Sequence, residues 1–312
     1  MYNNDFFYNI ISNQVHYQMR EINQQQKIDL LNPIKINAFE AQQLNHPLHY
    51  HSSEYELKLV IGGKGIRIVG DSVSEFGKLD LVLTGPGLPH CWISEDADIN
   101  GEQNSKIQVI VIYFNHHILG DELLNRVEFS PIRELFRISA KGLAFGGETL
   151  KQVVDKFLQF KLEPDFDTFL NILYIFNQLA ISSECKILCS DKYVFKGKYE
   201  EIKKFESVFS HIQTHYLEKI KISEVADLIN MNDSAFSHYF KKRTSYSFTD
   251  FVNLLRLHHA ASQITRPKKT IAEICYDSGF NNLSNFNRMF KKWKGDTPLQ
   301  FRKKQLAYTL AE

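Results

Sequence analysis

Between Tyr55 and Phe114 the chain alternates short apolar runs with turn residues: "YELKLVIGGKGIRIVGDSV", "LDLVLTGPGLPHCWI" and "IQVIVIYF". Apolar runs of this length, punctuated by glycine and proline, predict short strands closing into a small β-barrel or sandwich. From about His117 to Cys189 the period lengthens. "GETLKQVVDKFLQFKL" and "PDFDTFLNILYIFNQLAI" place apolar residues at helical spacing, on more faces than one barrel needs for its cover, which predicts a dimer contact. In the final third, Leu283, Phe286, Met289, Phe290 and Trp293 fall on one side of a helix. Asn285, Asn287, Arg288, Lys291 and Lys292 fall largely on the other.

That final third repeats itself. Ile222, Val225, Ala226 and Asn230 recur as Ile271, Ile274, Cys275 and Gly279. After one inserted residue, Asn232, Phe236, Phe240, Lys241 and Lys242 recur as Asn282, Phe286, Phe290, Lys291 and Lys292. Each copy reads as helix, tight turn, helix. Asn230 and Gly279 supply residues that tolerate positive φ, and Asn232 and Asn282 can cap the second helix. "SFTDFVNLLRLHHAASQI" (Ser247 to Ile264) reads as a shared connecting helix, with Pro267 marking its end. Two helix-turn-helix units joined in this way can set their second helices in successive major grooves of double-stranded DNA.

Charge sharpens this picture. The whole chain carries 37 Lys+Arg and 36 Asp+Glu. Of these, 18 basic and 10 acidic residues lie in 203–312, so that segment is at +8 and the remainder at −7. A basic end on an acidic body is expected of a nucleic-acid-binding domain carried by another domain. At 312 residues the chain is long enough for two domains with proper cores. No apolar run approaches the roughly 18 residues of a membrane span, and the N-terminal "MYNNDFFYNI" lacks the layout of a secretory signal; a cytoplasmic protein is expected. Cys91, Cys185, Cys189 and Cys275 form no close pairs of the CxxC kind and are read as ordinary thiols.

Residues 205–304 resemble the paired helix-turn-helix domain of the AraC/XylS family of bacterial transcription regulators. The resemblance is carried by Ile271, Ile274, Gly279, Phe280, Ser284, Phe286, Arg288, Phe290, Lys291, Gly295, Thr297, Pro298 and Arg302, with Arg256 and Ala260 on the connecting helix. In the first copy Phe236, Ser245 and Asn232 depart from the family's Leu, Gly and Ser. By position, the resemblance implies base-facing roles for Ser234, Ser237 and His238 in the first unit and Leu283, Ser284, Asn287 and Arg288 in the second. Chemistry adds that Arg288 suits guanine, Asn287 adenine and Leu283 a thymine methyl. Lys241, Lys242, Lys291, Lys292 and Lys294 suit phosphate, which sets affinity and register.

The first domain resembles the cupins over about residues 35–115. His49, His51, Glu56 and Gly63 stand as H-x-H-x4-E-x6-G, and Pro86, Gly87, Pro89 and His90 as P-G-x-P-H, although Leu79 replaces the glycine usual before Asp80. His49 and His51, two apart on an extended chain, point to one face. With Glu56 and His90 they make a three-His, one-carboxylate set suited to a divalent metal. The same pocket residues equally suit hydrogen bonds to an organic ligand such as a sugar, and a purely structural role stays open.

The expected fold class is α+β multidomain. A cupin-like sensing barrel (1–120) is followed by a helical dimerisation and linker segment (121–200) and an all-α DNA-binding domain with two helix-turn-helix units (201–312). The expected function is sequence-specific transcription regulation, as activator or repressor, with DNA binding modulated by a ligand in the barrel. The resemblance implies as partners double-stranded DNA, a small effector, RNA polymerase and a second copy of the chain, with no membrane and no enzymatic activity. A cupin metalloenzyme with an appended DNA-binding tail is the rival reading.

Overall fold

The computed structural model describes residues 33–44, 48–94, 107–161, 165–191, 193, 199–264 and 269–309. The chain divides into two compact units, with the main boundary between Tyr193 and Val194. The N-terminal "MYNNDFFYNI" and Pro267 lie outside the described residues.

The strands are β1 (Ile34–Ala41), β2 (Tyr55–Ile61), β3 (Gly65–Val69), β4 (Ser72–Phe76), β5 (Leu79–Thr84), β6 (His90–Ser94), β7 (Ile107–Phe114), β8 (Leu143–Phe145) and β9 (Cys185–Ile187), all within the first unit except the Cys91–Ser94 part of β6, which groups with the second. They form a six-stranded sheet, β1-β7-β2-β5-β8-β9, and a three-stranded sheet, β4-β3-β6. The barrel expected from the sequence is therefore met only as two sheets. Among the described strands, hydrogen bonding does not close into one ring, because β1 and β9 end the larger sheet as edges.

Alternation along β2 sorts its two faces. Leu57, Leu59 and Ile61 join Leu81, Leu83, Ile110, Ile112 and Phe114 in a core shared with helices. Those helices are α2 (Ser130–Ile138), α3 (Gly147–Leu158) and α4 (Phe166–Ala180), preceded by the single turn α1 (Asp121–Leu124). Phe114 is the hinge of this packing, with its ring 4.8 Å from that of Phe176 and 5.3 Å from that of Phe136. The alternate residues Glu56 and Lys58 therefore face away from the helices. Antiparallel pairing sets Glu56 opposite Tyr113 on β7 and Thr84 on β5.

Helix α4 buries Ile172, Ile175, Phe176 and Leu179, yet also leaves Phe166, Leu170 and Tyr174 exposed at four-residue spacing. That second apolar stripe is the surplus that the sequence pattern announced.

The second unit is helical: α5 (Tyr199–His215), α6 (Ile222–Asp227), α7 (Asp233–Thr244), α8 (Phe248–Ile264), α9 (Ile271–Asp277), α10 (Leu283–Lys294) and α11 (Pro298–Thr309). Among the described residues, no helix of the chain is long and apolar enough to cross a membrane.

Candidate functional site

The duplication seen in the sequence is reproduced bond by bond. In the first copy the Met231 N–H donates to the Ala226 carbonyl at 3.0 Å; in the second, the Phe280 N–H donates to the Cys275 carbonyl at 3.1 Å. Both turns need a left-handed residue, and Asn230 (φ 55°) and Gly279 (φ 80°) provide it. The Asn232 side chain accepts from the Ala235 N–H at 2.9 Å, and Asn282 from the Asn285 N–H at 2.8 Å, capping α7 and α10. Both helices then end on left-handed residues, Ser245 and Gly295. Phe236 and Phe240 in one copy, and Phe286 and Phe290 in the other, are fully buried. Apolar residues one turn apart thus fix the inward side of each second helix, and the opposite side is left to solvent.

Arginines lock the surrounding frame. Arg256 on α8 donates to the carbonyls of Tyr216 (2.6 Å) and Glu218 (2.5 Å). Arg302 on α11 donates to those of Ile264 and Lys269, both at 2.8 Å. Their role is to tie chain segments together rather than to meet a ligand.

In the first unit, His51 and His90 converge on Glu56. Glu56 Oε2 lies 2.8 Å from His51 Nε2 and 3.2 Å from His90 Nε2, while Oε1 lies 2.6 Å from Lys58 Nζ. Glu56 and His90 are each 1% exposed. His90 Nδ1 stands 2.8 Å from the Leu88 carbonyl, which can only accept, so this nitrogen carries the proton. Burial alone would raise the Glu56 carboxyl; the charges of Lys58 and His90 and the hydrogen bonds from both histidines outweigh it and hold the carboxyl well below its ordinary range. Burial, and then the Glu56 charge, push the Tyr113 phenol upward. Ligand atoms of His49, His51, Glu56 and His90 all lie within 4.8 Å of one another. An ionised carboxylate and imidazole nitrogens this close can hold a transition-metal ion, and the donor set fits one.

Residues 225–304 match the family model described as a helix-turn-helix domain. The C-terminal third is an AraC-type helix-turn-helix domain. The chain is 30% identical over 106 residues to an uncharacterized HTH-type transcriptional regulator of Staphylococcus aureus (strain MSSA476), a match covering 34% of this chain and 14% of that protein. It is also 30% identical over 93 residues to the uncharacterized HTH-type transcriptional regulator YobQ of Bacillus subtilis (strain 168), covering 30% of this chain and 39% of that protein. The chain therefore spans well under half the length of these relatives. Among solved structures, ToxT from Vibrio cholerae superposes over 86% of this chain and 98% of its own, at 14% identity and a TM-score of 0.34. A Listeria innocua protein of unknown function covers 32% of this chain and 94% of its own, at 28% identity and a TM-score of 0.30.

On the AraC-type domain the sequence-nominated residues separate by exposure. Ser234, Ser237, His238, Ser284 and Arg288 are exposed, as are Lys241, Lys242, Lys291 and Lys292. The Ser237 hydroxyl donates to the Asp233 carbonyl at 2.7 Å, and Arg288 donates to Asn285 Oδ1 at 2.8 Å. Leu283 and Asn287 sit on the flank, half-buried: Leu283 packs against the Phe286–Phe290 core, and Asn287 Oδ1 is shut off from solvent without a hydrogen-bond partner. A two-bond contact from Asn287 to adenine thus requires its side chain to turn outward. Lys294 is half-buried, with its ammonium 4.2 Å from the Trp293 ring centre. Away from the AraC-type domain, sequence reasoning missed Lys58 and Tyr113 around Glu56. The signal was present in the strand period, since Lys58 lies two residues after Glu56 and so on its face.

Proposed function

We propose that this protein is a sequence-specific transcription regulator that acts in the cytoplasm. In this reading, α7 and α10 enter neighbouring major-groove segments of one DNA face, and a ligand held by a cupin-like N-terminal unit alters that binding. The observation that supports it most directly is the twice-built turn, with its matched carbonyl bonds, caps and left-handed residues, which leaves Arg288 and a row of lysines exposed on the second helices. Arg288 and the exposed serines, with His238, are the proposed base contacts, together with Leu283 and Asn287 at the edge. Lys241, Lys242, Lys291, Lys292 and Lys294 are the proposed phosphate contacts.

His49, His51, Glu56 and His90 are the proposed ligand site. A ligand there biases DNA binding only by favouring one arrangement of the protein over another. A second copy of the chain is the proposed partner of the exposed α4 stripe, and RNA polymerase the partner of the DNA-bound form. The test is selection of duplexes from a random pool by the full chain. Enrichment of two short elements about one helical turn apart supports the reading; recovery without sequence preference overturns it.

A further inference from the structure

We propose, resting on the regulator reading above, that Asp233, the first residue of α7, determines specificity by selecting a cytosine in the DNA element met by the first helix-turn-helix copy.

The duplication places this residue. Asn232 and Asn282 cap α7 and α10, and the residue after each cap opens its helix: Asp233 in the first copy, Leu283 in the second. A recognition helix meets base edges with its N-terminal residues. Leu283 folds partly onto the Phe286–Phe290 core, whereas Asp233 is exposed. Its carboxylate has no hydrogen-bond or ion-pair partner among the described residues. The groups around it are already engaged. Ser237 donates its hydroxyl proton to the Asp233 carbonyl at 2.7 Å, and Asn232 Oδ1 accepts from the Ala235 N–H at 2.9 Å. Asp233 is thus the unspent acceptor at the entering end of α7, and α10 carries no acidic residue to match it.

Charge decides what this carboxylate can meet. Beside a polyanion it weakens binding to every duplex unless a donor waits in the groove. In the major groove, cytosine N4 and adenine N6 are the donors. Adenine sets its N7 acceptor next to N6, while guanine and thymine offer acceptors without a donor, so cytosine alone presents a donor with no acceptor on the same base. Asp233 therefore discriminates twice, by rewarding cytosine and by repelling the other bases. The short side chains of Ser234 and Ser237 leave the rest of that element permissive. A carboxylate at a helix start is also favoured by the helix dipole. A role confined to the dipole would move stability and leave base preference alone.

The test is selection of duplexes from a random pool by the full chain and by Asp233→Ala and Asp233→Asn, followed by fluorescence anisotropy on the enriched sites and urea midpoints of each protein. The wild type should enrich a cytosine at one position, and changing that C·G pair to T·A should weaken binding at least about fivefold. In Asp233→Ala the same change should matter less than about twofold, while discrimination at the guanine met by Arg288 persists. Unrelated duplexes should bind Asp233→Ala more tightly, because a repulsion has gone. Asp233→Asn keeps a residue suited to a helix start, so it serves where Asp233→Ala does not fold. It should move the preference from cytosine to adenine, since an amide both donates and accepts. Unchanged base preference in a folded variant, with or without a lower urea midpoint, overturns the role of Asp233 and leaves the regulator standing. Recovery of the pool without sequence preference by the wild type is a separate failure, which overturns the regulator reading and the cytosine contact together.

Discussion

Arg288 is the residue on which sequence discrimination should turn. It is exposed on α10, held by the Asn285 amide at 2.8 Å, and its guanidinium fork matches guanine's acceptor pair. Arg288→Ala should lower affinity for the preferred site by about 1–3 kcal/mol while barely affecting unrelated DNA. Lys291→Ala should instead weaken all sequences alike and flatten the salt dependence by about one phosphate contact. Fluorescence anisotropy against matched and scrambled duplexes at several salt concentrations separates the two. The exposure of Arg288 was legible in the sequence, because a residue on the far side of a helix from Phe286 and Phe290 has to be outside. Asn287 was harder to read. It sits at the boundary of the buried stripe, where a small rotation decides whether an amide faces water or protein, and helical period alone does not resolve that. Lys58 and Tyr113 were missed for another reason: Tyr113 meets Glu56 only through the register of β2 on β7, a pairing between distant segments.

At the scale of elements, the turns and the connecting helix carry the domain's stability. Gly279 has φ 80°, and a Cβ there would come within 2.5 Å of the Leu217 carbonyl oxygen and 2.9 Å of Arg256 Nε. Gly279→Ala should destabilise the AraC-type domain by roughly 1–3 kcal/mol, read as a lower urea midpoint. His258 on α8 lies against Trp293, with ring centres 4.4 Å apart, and burial followed by the nearby Lys294 charge depresses its pKa to about 3. The folded value lies below the unfolded one, near 6.5. The unfolded chain therefore takes up the proton first on acidification, and stability falls as pH drops below about 6.5 toward the folded value. Urea midpoints measured from pH 7 down to pH 4 should fall for the wild type, and fall less for His258→Asn. The helix-turn-helix elements were legible because caps, turns and apolar spacing are local. The three-residue strands β8 and β9 were not, since β8 exists only by pairing onto β5 and β9 only by pairing onto β8.

For the whole molecule, the α4 stripe bears on assembly. Phe166 and Leu170 are 72% and 46% exposed, which places apolar surface where a monomer gains nothing from it. Leu170→Glu should shift the chain to monomer in sedimentation experiments while leaving the monomer's unfolding free energy within about 0.5 kcal/mol of the wild type, the range of ordinary surface changes. The two-domain order and the β-then-α layout were readable from pattern and charge. The split into two sheets was not, because closure depends on which edges meet.

The two copies of the helix-turn-helix differ in one quiet respect. Where the second has Gly279 and Gly295, the first has Asn230 at φ 55° and Ser245 at φ 61°. A side chain forced left-handed costs about 1–2 kcal/mol, less for asparagine. The earlier copy is thus held under tension at both ends of its reading segment, whereas the later one rests relaxed. Amide exchange should be quicker along α7 than along α10. On a duplex, the later copy would act as the anchor, leaving its looser twin to tolerate a wider set of bases.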